Sequence, residues 1–298
     1  MTGIICLNKP QGITSFLAVA KVRRLAGEKK AGHTGTLDPM ATGVLPIMLG
    51  GATRFIELLP TSKKAYSAKF KLGITTDTLD ITGEVKDTRQ VLSTKQDVQA
   101  VLLKFKGDIM QTPPMYSAVL KDGVRLYELA RKGIEIEREQ RPVTIHSLEL
   151  TNAIEKNHEY EIAVECSAGT YIRTLISDVG EELGCGAVMT ELCRTSANGF
   201  LLDECITLEQ LELLSKNSEV ETILKTVDGT LLEYPKVVVT TAQSKRFSNG
   251  GELALDRIGS PKSIGFYRVY SPENQFLGVG EIKEGSSQLL VKRVFINK

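Results

Sequence analysis

The chain carries almost no net charge, contains no tryptophan and is poor in other aromatic residues. Its 298 residues include 37 Lys and Arg against 36 Asp and Glu, for a net charge of +1, and the aromatic fraction is 6%. A global electrostatic attraction to a polyanion is therefore excluded, and a nucleic-acid partner would need a local basic patch. Because aromatic side chains are scarce, each tyrosine that falls within a motif is more informative.

Patterns of metal sites, disulfides and membrane segments are also missing. The five cysteines form no CxxC pair and the three histidines are far apart, so we expect reduced, mostly buried thiols and no zinc site. No apolar run approaches the about 18 residues of a membrane-spanning helix, and the opening apolar segment is too short for a signal sequence. We expect a soluble, cytoplasmic protein without metal or membrane contact.

What the chain does contain is enough apolar content, 42%, for a sizeable core in one large or two ordinary domains. Residues 64–72 alternate apolar and polar, which predicts a half-buried strand, and residues 94–105 have helical spacing. Ser15 is expected to cap a helix over residues 16–25. Further helices are predicted over residues 53–59, 125–132, 171–183 and 208–214, and further strands over residues 4–7, 143–150 and 161–166.

The mixture of elements predicts the fold class and two domains. Because helices and strands intermix without regular βαβ units, we expect an α+β fold with a mostly antiparallel sheet. From residue 236 onward the elements are short strands separated by Gly, Ser or Asn, with a helix only over residues 242–247. The sequence therefore predicts a first domain over residues 1–234 and a small β-rich domain over residues 235–298.

The most distinctive segment is GHTGTLDPMATGVLP, residues 32–46, which combines one carboxylate, one imidazole, three hydroxyls and three glycines. Glycines allow close approach of the backbone to a ligand, and Pro39 biases Asp38 away from the α region. An isolated Asp-Pro in a loop is commonly an Asx turn, in which the side chain bonds its own backbone. The density of hydroxyls and glycines around Asp38 instead favours a loop that cradles a ligand.

This segment resembles the signature of the TruB family of bacterial tRNA pseudouridine-55 synthases. Further segments resemble motifs of the same family, and they are NKPQGITS (8–15), QTPPMYSA (111–118), GVRLYELAR (123–131), CSAGTYIRTL (166–175) and LCRT (192–195). The matches keep their order along the chain, so chance is a poor explanation for them.

The resemblance implies the pseudouridine synthase catalytic fold, a mixed sheet flanked by helices, with an RNA-binding insertion called the thumb at about residues 112–141. Basic side chains suit phosphates and aromatic ones suit unstacked bases. The thumb residues expected to bind RNA are Lys121, Arg125, Tyr127 and Arg131. Residues 276–281 resemble a PUA-type RNA-binding domain. The alternative for the thumb is a solvated basic hairpin, and the alternative for the C-terminal domain is a β-barrel without RNA contact.

The resemblance also assigns three catalytic residues. By this resemblance Asp38 is the nucleophile, Tyr66 stacks on the target base and is a candidate acceptor of the C5 proton, and Arg173 pairs with the aspartate and holds it ionised. From the residues alone, the alternative for Tyr66 is a core tyrosine of its strand, and the alternative for Arg173 is a surface arginine.

Five further residues are expected to bind the substrate or support the loop. His33 enters the space left by the flipped base or stacks on the flipped segment, and Tyr171 and Leu192 line the pocket. Lys9 and Pro10 lie beneath the catalytic loop, unless they are an ordinary strand end. Because Tyr171 and Arg173 are two residues apart, they cannot share a helix face, so the chain must be irregular there if both reach the site.

The implied reaction exchanges a C1′–N1 bond for a C1′–C5 bond without net redox change, so no cofactor is expected. It needs a carboxylate at C1′, a closed pocket and a base for the C5 proton. Whether Asp38 attacks C1′ or assists otherwise, and which group takes the proton, stays open. The resemblance implies uridine 55 of the tRNA T-loop as the target, and a monomer without an obligate protein partner. The alternatives are an RNA-folding chaperone of the same fold, and a relative acting on rRNA or guided by a small RNA.

Overall fold

The computed structural model describes residues 1–60, 63–259 and 263–296. The α-helices in these ranges are α1 (Ser15–Leu25), α2 (Lys95–Lys104), α3 (Leu126–Ala130), α4 (Ile172–Glu182), α5 (Leu208–Lys216) and α6 (Thr241–Ser248). The strands are β1 (Gly3–Lys9), β2 (Ala31–His33), β3 (Thr42–Leu49), β4 (Lys64–Leu72), β5 (Ile74–Thr76), β6 (Val85–Thr88), β7 (Gly107–Gln111), β8 (Leu120–Lys121), β9 (Val124–Arg125), β10 (Arg141–Ile154), β11 (Glu159–Cys166), β12 (Ala187–Ala197), β13 (Phe200–Leu201), β14 (Lys236–Val238), β15 (Leu253–Ala254), β16 (Gly265–Tyr270), β17 (Phe276–Ile282) and β18 (Gln288–Val294). The short 3-10 helices are Gly50–Leu58, Glu155–Asn157, Leu202–Glu204, Val220–Ile223, Asp228–Leu231 and Leu255–Arg257.

A nine-stranded sheet forms the body of the protein. Its order is β1-β3-β12-β4-β11-β10-β7, with β2 beside β3 and β13 beside β12. Its neighbours run antiparallel except β12 and β3, which run parallel through Cys193↔Thr42 and Arg194↔Gly43. Helices α1, α2 and α4 contribute buried side chains to its main core. The predicted α+β class, with a mixed and mostly antiparallel sheet flanked by helices, is confirmed.

Local sequence explains two of the central elements. In β4 the side chains of Tyr66, Ala68, Phe70 and Leu72 are buried while the residues between them are more exposed, as the alternation predicts. Helix α2 begins after Thr94, whose side chain accepts a hydrogen bond from the Asp97 N–H in a reciprocal capping box. Both elements thus follow from short-range pattern and capping.

The beginnings of three predicted helices need correction. Helix α1 is capped by Thr14, whose Oγ1 accepts from the Leu17 N–H at 3.1 Å, and not by Ser15. Ser15 is buried and exchanges two hydrogen bonds with the Leu37 backbone, of 2.9 and 2.8 Å. The helix predicted from residue 171 begins at Ile172, because Tyr171 is extended (φ −98°, ψ 107°). The helix predicted over residues 53–59 is the 3-10 helix Gly50–Leu58.

The C-terminal part forms a second sheet, of order β14-β16-β17-β18-β15, over a core of its own. A third apolar cluster joins it to the body. In that cluster the rings of Phe55, Phe276 and Phe295 lie with centroids 5.4 to 6.0 Å apart. The division into domains at residue 235 stays a prediction.

The segment between β7 and β10 holds the ribbon β8–β9 and the short helix α3. This is the segment predicted as the thumb. No helix in the described part of the chain is long and apolar enough to cross a membrane.

Candidate active site

Asp38 lies on the loop between β2 and β3 and forms a two-pronged ion pair with Arg173. The Arg173 Nε is 2.9 Å from Asp38 Oδ2, and its Nη2 donates to Asp38 Oδ1 at 3.2 Å. A guanidinium matches both oxygens of a carboxylate, so this contact fixes the plane of the carboxyl group as well as its position. Of the two interpretations open for Arg173, this partner or a surface arginine, the structure supports the first, because it buries Arg173 beside Asp38.

Arg173 is itself held by two other segments. It donates to the backbone oxygens of Thr78 and Tyr116, each at 2.9 Å. The carboxylate of Asp80 lies 3.7 Å from its Nη1. The buried Asp80 Oδ1 accepts in turn from the Thr78 and Thr82 hydroxyls and the Thr82 N–H. The orientation of Arg173, and through it of Asp38, is therefore set by α4, by the β5–β6 connection and by the thumb together.

The environment of Asp38 acts on its pKa in opposite directions. Burial raises the pKa of the carboxyl above its usual value, while the Arg173 guanidinium opposes that rise and favours the ionised form. Lys9 acts in the same direction as Arg173. Burial and the Arg173 guanidinium thus act against each other on the pKa of Asp38, and burial is the larger influence.

A small inner cavity of about 240 Å³ opens beside Asp38. Tyr66 from β4 and Leu192 from β12 contribute to its wall, together with Tyr171 and Lys64. Burial raises the pKa of the Tyr66 phenol, and the nearby charge of Arg194 opposes this rise. The structure therefore brings Asp38, Tyr66, Tyr171, Leu192 and Arg173 to one cavity.

Tyr171 reaches the inner cavity because it precedes α4 and is not part of it. The side-chain amide of Gln111 clamps its backbone, accepting from the Tyr171 N–H at 2.7 Å and donating to its carbonyl at 3.0 Å. The irregularity that the spacing of Tyr171 and Arg173 requires is this extended residue at the start of the helix.

A larger outer cavity of about 800 Å³ also borders Asp38. His33 and Phe16 line it from the body, and Arg125, Tyr127 and Arg131 line it from the thumb. Burial lowers the pKa of His33, and its Nδ1 is buried without a hydrogen-bond partner among the described residues. The Arg131 guanidinium lies 5.3 Å from the centre of the Tyr127 ring.

Lys121 is the one predicted thumb residue that does not line either of these cavities. It is exposed, and its Nζ donates to the Glu137 carbonyl at 2.6 Å. Pro10 does not line them either, but its carbonyl accepts from the Lys9 ammonium.

Two fully buried cations lie beneath the Asp38 loop. The Lys9 ammonium donates to the carbonyls of Pro10 and Ile13, both at 2.8 Å, and lies 3.4 Å from that of Pro39. Burial lowers the pKa of Lys9 to about 8, while Asp38 opposes the shift. This placement is what the expected supporting role of Lys9 requires.

Arg194 is the second buried cation, and sequence reasoning assigned it no role although it lies in the LCRT motif. Its guanidinium donates to the carbonyls of Val44 (2.7 Å), Gly35 (3.0 Å) and Thr36 (3.3 Å). The parallel contact of β12 with β3 brings it there. Asp80 and Gln111 were missed as well. The run of hydroxyl and acidic residues 75–82 was the available signal for Asp80, and Gln111 opens the QTPPMYSA motif.

All five cysteines are free thiols, three of them buried. Within the described ranges, no group of three or more His, Cys, Asp or Glu side chains could hold a metal ion.

The fold and the sequence define the class of protein together. The chain superimposes on a crystal structure of a Cbf5-Nop10-Gar1 complex with a TM-score of 0.75 and 26% identity, covering 99% of this chain and 85% of the other. Family models match residues 23–172 (TruB family pseudouridylate synthase, N-terminal domain), 173–232 (tRNA pseudouridylate synthase B C-terminal domain) and 235–295 (pseudouridine synthase II TruB, C-terminal). The fold and the matching family models are those of a pseudouridine synthase.

Curated relatives narrow the class to a family. A tRNA pseudouridine synthase B of Pseudomonas fluorescens is 46% identical over 287 residues, covering 95% of this chain and 92% of the relative. One of Clostridium kluyveri is 46% identical over 289 residues, covering 95% and 96%. The chain belongs to the TruB family of pseudouridine synthases.

Proposed function

We propose that the protein converts uridine 55 in the T-loop of tRNA to pseudouridine. The observation that carries this proposal is that Asp38 lines two adjoining cavities that offer different partners to a nucleotide. Tyr66 and Leu192 contribute an aromatic and an aliphatic side chain to the inner cavity, and the thumb contributes cationic side chains to the outer one. A nucleotide has the matching parts, a planar base and an anionic backbone. The names of the curated relatives support tRNA as the substrate.

The target uridine enters the inner cavity by flipping out of the folded T-loop, at a cost of a few kcal/mol for unstacking. His33 lines the outer cavity, where it takes up the space that the flipped base leaves in the RNA or stacks on the flipped segment. Tyr66 stacks on the uracil from the β4 side, and Leu192 and Tyr171 confine it. Confinement matters because the detached uracil must rotate and rebond without leaving.

Asp38 acts on C1′ while the C1′–N1 bond breaks and the C1′–C5 bond forms. Arg173 keeps the carboxylate ionised and oriented, and Lys9 and Arg194 fix the backbone of the loop that carries it. The ionised Tyr66 oxygen then takes the proton from C5 and returns a proton to N1, so the product is an isomer of the substrate and no redox partner is needed. Each step is performed by side chains of this chain.

The test is release of tritium from C5. Unmodified tRNA labelled at uridine C5 should lose label to water when the protein is added, and the same transcript with cytidine at position 55 should lose none. Asp38→Asn should abolish the release. Absence of release from the unmodified tRNA would overturn the proposal, and equal release from both transcripts would assign a different target uridine.

A further inference from the structure

Ser117 lines both cavities, and its hydroxyl is shielded from solvent and has no hydrogen-bond partner among the described residues. The residues that line both cavities are Thr36, Leu37, Asp38, Ser117, Ala118 and Arg173. Asp38 and Arg173 bond to each other there. Ser117 is buried, 6% exposed, and its Oγ makes no hydrogen bond within the described ranges.

The fold does not need this hydroxyl to hold the segment. The Ser117 N–H donates to the Met115 carbonyl at 2.9 Å, and the Ser117 carbonyl accepts from the Tyr127 N–H at 3.1 Å. The preceding carbonyl, of Tyr116, accepts from Arg173. A buried hydroxyl without a partner destabilises the folded state, so such a group calls for a partner that arrives from outside.

The residues that line both cavities indicate which part of the substrate that partner is. If the base occupies the inner cavity and the RNA backbone lies along the thumb cations, the ribose of the flipped nucleotide lies against these shared residues. The 3′ and 5′ oxygens of an internal nucleotide are esterified, so its free ribose hydroxyl is the 2′-OH. That group both donates and accepts, as the serine hydroxyl does.

We propose that Ser117 Oγ forms a hydrogen bond with the 2′-OH of the flipped nucleotide and thereby positions C1′ against Asp38. This inference rests on the function proposed above. Ser117 would be a substrate-positioning residue, and it would make recognition of the target nucleotide depend on its being a ribonucleotide.

The experiment compares affinities in an Asp38→Asn background, so that turnover does not enter. Two T-stem-loop RNAs carry either uridine or 2′-deoxyuridine at the target position. Ser117→Ala should weaken binding of the uridine RNA by about five- to tenfold, the usual effect of one hydrogen bond, and leave binding of the 2′-deoxyuridine RNA unchanged. Removing the unpartnered hydroxyl should not lower the melting temperature.

Tyr160→Phe is the matched control. Tyr160 on β11 also has a buried hydroxyl without a partner among the described residues, but it lines neither cavity. Its removal should change the affinity for neither RNA. An equal loss on both RNAs, or no loss on either, with Ser117→Ala would overturn the proposal. Tritium release by the wild-type protein tests the proposed function separately, because the binding comparison does not depend on turnover.

Discussion

The buried cations around Asp38 and the cations of the thumb differ in what their charged groups contact. Lys9, Arg173 and Arg194 are buried, and each donates to backbone carbonyls. Arg125 and Arg131 are exposed along the outer cavity. A buried cation that has satisfied its donors positions the protein's own chain, whereas an exposed one remains available to a phosphate. Net charge near zero is thus compatible with an RNA site, because what counts is which cations are left open.

The largest effect on turnover with little effect on tRNA affinity is expected at Asp38 itself. Asp38→Asn keeps the size of the side chain and removes its charge, so we expect turnover to fall by roughly 10⁴- to 10⁶-fold, as for loss of a nucleophile. Affinity for tRNA should stay within about tenfold, or about 1.4 kcal/mol. Single-turnover kinetics with a filter-binding assay measure both, and near-normal turnover would show that another group does the chemistry.

Two substitutions of Tyr66 should separate its contribution to stacking from its contribution to proton transfer. Tyr66→Phe keeps the ring, and with it a stacking contribution of about 1 to 3 kcal/mol, but removes the hydroxyl. We expect the single-turnover rate to fall by about 10²- to 10⁴-fold with affinity kept. Tyr66→Leu should lose both.

The pH dependence offers a second measurement on Tyr66. Burial raises the pKa of this phenol, so the fraction of phenolate is small at neutral pH and grows as pH rises. The wild-type single-turnover rate should therefore increase with pH through the neutral range, and Tyr66→Phe should flatten that slope. A Phe variant that turns over like the wild type would leave the ring as a platform only.

Arg194 should matter for stability more than for binding. Arg194→Met leaves the carbonyls of Gly35, Thr36 and Val44 without their donor, so we expect the free energy of unfolding to drop by about 3 kcal/mol. Arg24→Met removes an exposed cation and should change it by less than about 0.5 kcal/mol. Urea unfolding measures both, and equal values for the two variants would contradict a positioning role for Arg194.

The smallest effect is expected at the thumb. Replacing Arg125 and Arg131 with Ala should weaken tRNA binding and reduce the slope of log affinity against log salt by roughly 0.7 to 0.9 for each phosphate that the protein no longer neutralises. Lys121→Ala should change the slope little, because Lys121 does not line the outer cavity. A slope unchanged in the double variant would show that the thumb cations do not face RNA.

The elements that the sequence predicted well are those determined by short-range residue patterns. Strand β4 was predictable from alternation and helix α2 from helical spacing, and Thr207 with Gln210 forms a capping box at the start of α5, which was predicted over residues 208–214. Strand β12 was not predicted, because its pairing with β4 shifts register after Met189 and again after Arg194, which interrupts the alternation. The choice between Thr14 and Ser15 as helix cap depends on Leu37, a contact across 22 residues that no local rule contains.

The residues of the site also fall into those that the sequence identified and those that only the folded chain brings together. The resemblance pointed to Asp38, Tyr66 and Arg173, and the structure brings them to one cavity, although their catalytic roles stay predictions. Arg194 could not be assigned, because its partners lie about 150 residues away and meet it only through the parallel contact of β12 and β3. Gln111 likewise acts on Tyr171 from 60 residues away.

The cluster of aromatic rings between the two sheets limits which C-terminal segments could replace the one present. Phe276 and Phe295 meet Phe55 there, on the same surface as Ile4 and Met48. Cleavage of the chain at residue 235 would expose these apolar side chains to water and create an aggregation-prone surface. A C-terminal part from another protein would pack stably only if it supplied apolar side chains that fit against Phe55. The contact at Phe55 therefore couples the two parts, so that exchange of one part alone should leave this apolar surface unpaired.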